Sequence, residues 1–120
     1  MKKILIADDC PEAVELIRVI LEGKDYEIID ASNGKEALKK ARLEKPDLVL
    51  LDIVMPKMDG FEVCSKLKKD PQTKEIPIIM LTGKGQETDK EKSREVGASD
   101  YITKPFSLSS LLIKIKEILA

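Results

Sequence analysis

The chain alternates between short apolar runs and longer segments in which apolar residues recur every three or four positions. Five such runs occur at fairly even intervals, at 4–7, 26–31, 48–51, 76–81 and 101–103. Runs of this length are typical of β-strands, and the segments between them are typical of amphipathic helices. The pattern therefore predicts five strands that alternate with five helices.

The predicted helices have recognisable start and stop residues. The first spans 11–22, begins with Pro11 and stops at Gly23, as expected from the helix preferences of these two residue types. Its inward face is predicted to carry Ala13, Leu16, Ile17, Ile20 and Leu21. Polar caps predict the starts of three further helices: Asn33 with Glu36 for 34–44, Asp59 for 60–69 and Ser107 for 108–119.

This alternation predicts an α/β fold with a three-layer α/β/α architecture, in which helices cover both faces of a parallel sheet. The runs at 4–7, 48–51 and 76–81 are apolar at consecutive positions, as expected of interior strands, whereas 26–31 and 100–103 include polar residues and are predicted to be edges. The strand order 2-1-3-4-5 satisfies this and places a ligand-binding switch point between strands 1 and 3. With 120 residues, we expect one domain over 1–120.

Composition excludes several classes of function. Lys and Arg total 21 against 22 Asp and Glu, so the net charge of -1 gives no cationic field, and we expect no direct nucleic-acid or membrane partner. The absence of histidine and the presence of only two cysteines exclude imidazole chemistry, zinc sites and a disulfide framework. No apolar stretch is long enough for a signal peptide or a membrane span. We therefore expect a cytoplasmic protein. Because the last predicted helix extends to 119, we expect no output domain in this chain and an action through binding to other proteins; a single-domain protein and a fragment of a longer one both fit this pattern.

Three carboxylates follow two strands that are predicted neighbours. Asp8 and Asp9 come directly after strand 1, and Asp52 ends strand 3. Two like charges about 4 Å apart repel by about 4 kcal/mol at an effective dielectric near 20, so a fold keeps them together only with a compensating cation. Oxygen ligands without imidazole or thiolate favour Mg²⁺, or Mn²⁺ in its place. The alternative is that these aspartates only cap the helices that follow.

The same sheet edge gathers two groups suited to a phosphoryl group. Thr82 ends strand 4 and Lys104 follows strand 5. A metal ion, an ammonium and a hydroxyl around one carboxylate can neutralise the oxygens of a phosphoryl group during its transfer. Asp52 is then the predicted nucleophile. The alternative is that Thr82 and Lys104 are separate, solvated residues at strand ends.

Taken in order along the chain, these residues resemble the receiver domains of two-component response regulators, the family of the chemotaxis protein CheY. The resemblance covers the whole chain and implies a CheY-like, flavodoxin-like fold. The matching pieces are Asp8-Asp9, Leu51-Asp52-Ile53-Val54-Met55-Pro56 with Asp59-Gly60, Leu81-Thr82-Gly83, and Gly97-Ala98 leading to Tyr101-Ile102-Thr103-Lys104-Pro105-Phe106.

The resemblance implies that Asp52 accepts a phosphoryl group from a phosphohistidine on a sensor histidine kinase or a phosphotransfer protein. It also implies that Asp9, Asp52 and the backbone carbonyl of Val54 bind Mg²⁺, with Asp8 acting largely through water. A receiver catalyses only its own phosphorylation and dephosphorylation, so we do not expect an enzyme that acts on a separate substrate.

Further roles follow from the resemblance alone. Thr82 and Tyr101 would be the switch pair, Lys104 would clamp the phosphoryl group, and a cis peptide would precede Pro105. Output would come from the face formed by helix 4, strand 5 and helix 5, which would bind a downstream protein partner.

Several surface features favour partner contacts. Val14, at the margin of the core face of the first helix, and Val19, opposite that face, are predicted to form a kinase-docking patch. Ile113 is predicted on the polar side of the last helix, where an aliphatic residue suits contact with a partner. The helix predicted over 86–95 has few candidates for packing, and we expect it to open locally more easily than the core.

Two other classes compete with a receiver. A phosphatase or mutase of the haloacid dehalogenase class also uses an aspartyl-phosphate, but it needs a second acid two residues after the nucleophile. Val54 occupies that position and can serve neither as acid nor as base. An interaction module that works without phosphorylation would be expected to lack one of the acidic or lysine positions, and all of them are present.

Overall fold

The structure, a computed structural model, describes residues 1–55, 58–82, 87–103 and 107–119, and for 87–89 it describes the backbone alone. Strands and helices alternate along the chain as predicted. In order, they are β1 Lys2–Ala7, α1 Pro11–Glu22, β2 Tyr26–Ala31, α2 Gly34–Glu44, β3 Leu48–Asp52, α3 Gly60–Lys69, β4 Ile78–Thr82, α4 Glu87–Glu95, β5 Asp100–Thr103 and α5 Leu108–Leu119.

All four strand pairings are parallel, and the sheet has the order β2-β1-β3-β4-β5. The predicted order is therefore confirmed, with β2 and β5 at the edges. The register pairs Ala7 with Leu51, and Thr82 with Thr103. Because parallel strands all end at the same edge of the sheet, this register brings the residues after β1, β3 and β4 to one rim.

The sheet separates two hydrophobic clusters, one on each face. Along β1, Ile4 and Ile6 belong to the cluster that includes buried residues of α1 and α5, while Leu5 and Ala7 belong to the cluster with α2 and α3. This alternation is the two-residue period of a strand, and it requires apolar residues at consecutive positions when both faces are covered. The three-layer α/β/α architecture is confirmed.

The polar helix caps are also in place. The Asn33 side chain accepts a hydrogen bond from the backbone amide of Glu36 at 2.9 Å, and Asp59 accepts one from the amide of Glu62 at 2.9 Å. The hydroxyl of Ser107 accepts one from the amide of Ser110 at 3.1 Å. Each bond satisfies an amide that the first turn of a helix leaves without a partner.

The predicted inward face of α1 was wrong in part. Leu16 was predicted to be buried and is 55% exposed, whereas Val14 was placed at the margin and is only 9% exposed. The buried stripe is Val14, Ile17 and Leu21. The apolar arc of α1 is wider than the face covered by the sheet, so its period alone does not identify which edge of the arc is buried.

Among the described residues, no helix has the length and apolar character needed to cross a membrane.

Candidate phosphoryl-acceptor site

Three carboxylates meet at the rim between β1 and β3. Asp8, Asp9 and Asp52 each contribute one carboxylate oxygen to a group in which all these atoms lie within 4.8 Å of one another. Asp8 and Asp52 are buried, and Asp9 is exposed. The predicted convergence of these residues is therefore confirmed by the geometry.

Backbone hydrogen bonds fix both strand ends that carry these acids. The amide of Asp8 donates to the carbonyl of Ala31 at 3.1 Å, and the Asp8 side chain accepts from the amide of Cys10 at 3.0 Å. On the other strand, the amide of Ile53 donates to the carbonyl of Leu81 at 3.3 Å. Asp52 is thus the last residue of β3, and Asp8, which directly follows β1, is tied to β2 through its backbone amide.

The donor set suits a small, hard divalent cation. Three carboxylates supply oxygen atoms alone, which are the ligands that Mg²⁺ and Mn²⁺ prefer. Two of them are buried, where like charges are poorly screened by solvent, and a bound cation offsets that repulsion. Asp9 is exposed and leaves the group accessible from solvent. The residues present fit a magnesium ion.

An open cleft extends from the carboxylate group along α1 and the end of β2. Its volume is about 260 Å³, and it contains an ion pair between Arg18 and Asp30. The acids Asp8 and Asp9 line this cleft, so it connects the carboxylate group with solvent. Its lining residues are Asp8, Asp9, Pro11, Val14, Glu15, Arg18, Asp30, Ala31 and Ser32.

Thr82 lies at the same rim, at the end of β4, and is fully buried. Its hydroxyl donates to the backbone carbonyl of Ile102 and lies 3.4 Å from the hydroxyl of Thr103. Sequence reasoning missed Thr103. The available signal was the register of β4 and β5, which pairs Thr82 with Thr103 and which depends on where β5 begins.

Tyr101 is half-buried in β5 and packs against the core cluster shared with α2 and α3. Its backbone amide donates to the Asp100 side chain at 2.8 Å, and Asp100 also forms an ion pair with Lys114 of α5 at 2.9 Å. Through Asp100, these contacts connect Tyr101, the predicted switch residue, to the last helix, α5.

The structure tests the remaining predicted site residues only in part or not at all. The side chain of Val54 is 76% exposed; a metal-binding role for its carbonyl stays a prediction. Lys104 and Pro105 lie outside the described residues, so the clamp and the cis peptide also stay predictions.

The two cysteines are both free thiols in different environments. Cys10 is exposed, and Cys64 is buried in α3, where its thiol donates to the carbonyl of Val96. Burial raises the pKa of the Cys64 thiol to about 11. Cys64 is therefore a neutral packing residue near pH 7 and not a nucleophile.

Comparisons with a family model and with individual proteins identify the same family. Residues 4–116 match the model of the response regulator receiver domain. The chain is 50% identical to the alkaline phosphatase synthesis transcriptional regulatory protein PhoP of Bacillus subtilis over 98% of its length, but it spans only 48% of PhoP. It is 44% identical to Protein PilH of Pseudomonas aeruginosa, and that match covers the whole chain and 99% of PilH.

Solved structures agree with this match. A putative response regulator from Chloroflexus aurantiacus superimposes with a TM-score of 0.95 at 36% identity, covering 98% of this chain and 97% of that one. The chemotaxis response regulator CheY4 of Vibrio cholerae superimposes with a TM-score of 0.92 at 33% identity, covering 98% of both chains. The CheY-like, flavodoxin-like fold is confirmed, and the chain belongs to the response regulator receiver domain family of two-component signal transduction.

Proposed function

We propose that this chain is a phosphoryl-accepting receiver in which Asp52 is the acceptor. The observation that carries the proposal is the meeting of the Asp8, Asp9 and Asp52 carboxylates within 4.8 Å of one another. They lie at the ends of two neighbouring strands, at the switch point where open α/β sheets bind ligands. The domain extends over residues 1–120.

The donor is a phosphohistidine on a sensor histidine kinase or a phosphotransfer protein. A carboxylate oxygen of Asp52 attacks the phosphorus atom, an O–P bond forms, and the P–N bond breaks with its electron pair leaving on the imidazole. Asp52 is nearly buried, and a carboxylate with few surrounding waters needs little desolvation before it attacks. The receiver modifies only itself and turns over no separate substrate.

Asp8, Asp9, Asp52 and the carbonyl of Val54 would hold Mg²⁺. When bound, the ion would supply positive charge that offsets the negative charge of the phosphoryl group. Asp8 is only 2% exposed, and the hydrogen bond from the amide of Cys10 orients its carboxylate at the rim. Asp9 is exposed, so solvent and the phosphodonor reach the site on the side of its carboxylate.

Thr82 and Lys104 bind the transferred group. The hydroxyl of Thr82 makes long hydrogen bonds of 3.4 Å to β5, so it gives up little when it turns to a phosphoryl oxygen. Lys104 directly follows β5 in sequence and provides the compensating ammonium.

Phosphorylation is read by a downstream protein. When the hydroxyl of Thr82 gives up its hydrogen bonds to β5, space opens beside it for the ring of Tyr101. The face formed by α4, β5 and α5 then changes shape. Support comes from the contacts of Tyr101 and Asp100, which connect β5 to α5. We expect the partner to be a protein and the complex to form in the cytoplasm, where sensor kinases supply phosphoryl groups.

Intact-mass measurement after incubation with Mg²⁺ and acetyl phosphate tests this function. Wild type should gain the mass of one phosphoryl group, and removal of Mg²⁺ with a chelator should abolish the gain. Asp52→Asn should not be labelled, because an amide is a poor nucleophile and a poor metal ligand. Equal labelling of both proteins would exclude Asp52, and no labelling of either would favour an interaction module that works without phosphorylation.

A further inference from the structure

Helix α4 lacks the feature that holds most surface helices in place. Its sequence from Glu87 to Glu95 contains no apolar residue. Ser93 is fully buried, whereas Glu91, Lys92, Arg94 and Glu95 are exposed. A helix without an apolar stripe gains little from packing on a sheet, so other contacts must determine its position.

Two lysines of α4 lie over aromatic rings of its neighbours. The ammonium of Lys90 is 5.5 Å from the ring centroid of Tyr101 in β5, and that of Lys92 is 5.1 Å from the ring centroid of Phe61 in α3. Both distances are within the range of about 6 Å at which a cation is attracted to an aromatic face. The helix is thus tied to one element on each side.

Both rings can carry such a contact because each is fixed on its other side. Tyr101 and Phe61 are half-buried and pack against the same core cluster. Their remaining surface is available to the lysines. A cation–π contact also depends on the orientation of the ring, since the attraction is to the face and not to the edge.

We propose that Lys90 is a positioning residue for Tyr101, which holds its ring in the orientation of the unphosphorylated chain. This inference rests on the proposed function, in which Tyr101 is the switch residue. When the ring turns inward, its face leaves the ammonium and the contact is lost. Lys90 therefore stabilises the unphosphorylated form over the phosphorylated one. Lys92 contacts a ring that does not switch and serves only to hold the helix.

Loss of the Lys90–Tyr101 contact should favour the phosphorylated form, because only the unphosphorylated form has this contact. A contact present in only one of two conformations shifts their equilibrium by its own free energy. Exposed cation–π contacts shift such an equilibrium by about two- to fivefold. Lys90→Met keeps most of the length of the side chain and removes its charge. It should therefore increase the population of the active-like form, and with it the initial rate of labelling by acetyl phosphate, by about two- to fivefold.

Lys92→Met is the matched control, since it removes the same charge from the same helix two residues away. It should leave the labelling rate unchanged, because Phe61 has the same contact in both forms. A second control places Lys90→Met in a Tyr101→Leu background, where it should have no effect. Equal acceleration by both lysine variants, or acceleration that persists without Tyr101, would show a general loosening of α4 and overturn the proposal.

Nuclear magnetic resonance of the unphosphorylated protein gives a readout that needs no phosphorylation. The ε-methylene protons of Lys90 should be shifted upfield by the ring current of Tyr101, and the shift should vanish in Tyr101→Leu. A shift absent from wild type would overturn the proposal. If the shift is present but wild type is never labelled by acetyl phosphate, the proposed function fails and the contact stands. If labelling occurs and the shift persists in the phosphorylated form, Lys90 does not respond to the switch and the proposal fails alone.

Discussion

Gly60 lies against the backbone of Asp52, and a Cβ atom at position 60 would be 2.4 Å from the carbonyl oxygen of Asp52 and 2.7 Å from the Cα atom of Ile53. The amide of Gly60 also donates to the carbonyl of Ile53 at 2.7 Å. The start of α3 is therefore packed directly on the strand end that carries Asp52, the proposed phosphoryl acceptor. The absence of a side chain at position 60 allows this close approach.

Gly60→Ala should destabilise the fold and disturb the site together. Backbone atoms cannot move aside as the end of a side chain can, so we expect a loss of about 1–3 kcal/mol in the free energy of unfolding. Urea unfolding measures this loss. Gly23→Ala is the control, because a Cβ there meets only ordinary contacts of 3.4 Å and longer; we expect a change within about 0.5 kcal/mol. Equal stability of the two variants would contradict the packing described for Gly60.

The exposed apolar face of α1 is the predicted kinase-docking patch, with a correction to its residues. Val14 was predicted to belong to it, but Val14 is part of the core cluster beneath α1, and Val14→Glu would place a carboxylate against core residues and destabilise the fold. Leu16 and Val19 are the exposed pair, at 55% and 59%. Leu16→Glu and Val19→Glu should each slow phosphoryl transfer from a phosphohistidine protein by at least about tenfold, since burial of one aliphatic side chain contributes about 1.5–3 kcal/mol.

Labelling by acetyl phosphate separates this docking effect from damage to the site. Both variants should be labelled at the wild-type rate by the small donor. Ile113→Glu is the matched control, because Ile113 is equally exposed at 57% but lies on α5. If Ile113→Glu slows transfer from the protein donor as much as the α1 variants do, the patch on α1 is not specific.

We expect Val54 to control the lifetime of the phosphorylated form. Its side chain is exposed beside the acceptor and offers no hydrogen bond to an attacking water. Val54→Asn adds an amide that can hold one, and a hydrogen bond of about 1 kcal/mol corresponds to about a fivefold faster hydrolysis. Decay of the phosphorylated mass over time gives the rate. Val19→Asn, at another exposed valine, should leave it unchanged, and an unchanged rate in Val54→Asn would refute this explanation.

Helix α4 should be the least protected helix of the unphosphorylated protein. Its own residues bury no apolar side chain, and local opening requires less free energy where few apolar contacts are broken. Hydrogen exchange should be fastest at the amides of 87–95, with α5 as the internal comparison, and should slow on phosphorylation. Protection as strong as that of α5 in both forms would contradict the proposal that phosphorylation orders the output face.

The carboxylate group was predictable because it depends on strand ends. Continuous apolar runs identified the interior strands, and strand order then placed Asp8 and Asp52 at one rim. The hydroxyl pair of Thr82 and Thr103 was not predicted, because it requires the register of the two last strands.

Contacts made by long side chains also could not be predicted from the sequence. The reach of Lys90 to Tyr101 depends on where α4 lies, and the composition of that helix carries no apolar period that would orient it. On α1, two neighbouring apolar stripes compete for the core, and only packing determines that Val14 and not Leu16 is buried.

If the proposed function holds, the phosphoryl group is carried by Asp52 and by neither of the two aspartates beside it. Peptide-level mass spectrometry of the wild-type chain, labelled with acetyl phosphate and Mg²⁺, locates the group. We expect the label on the peptide containing Asp52, and we expect Asp9→Asn to slow labelling without moving the label. A phosphoryl group found on the peptide containing Asp8 and Asp9 would contradict this expectation.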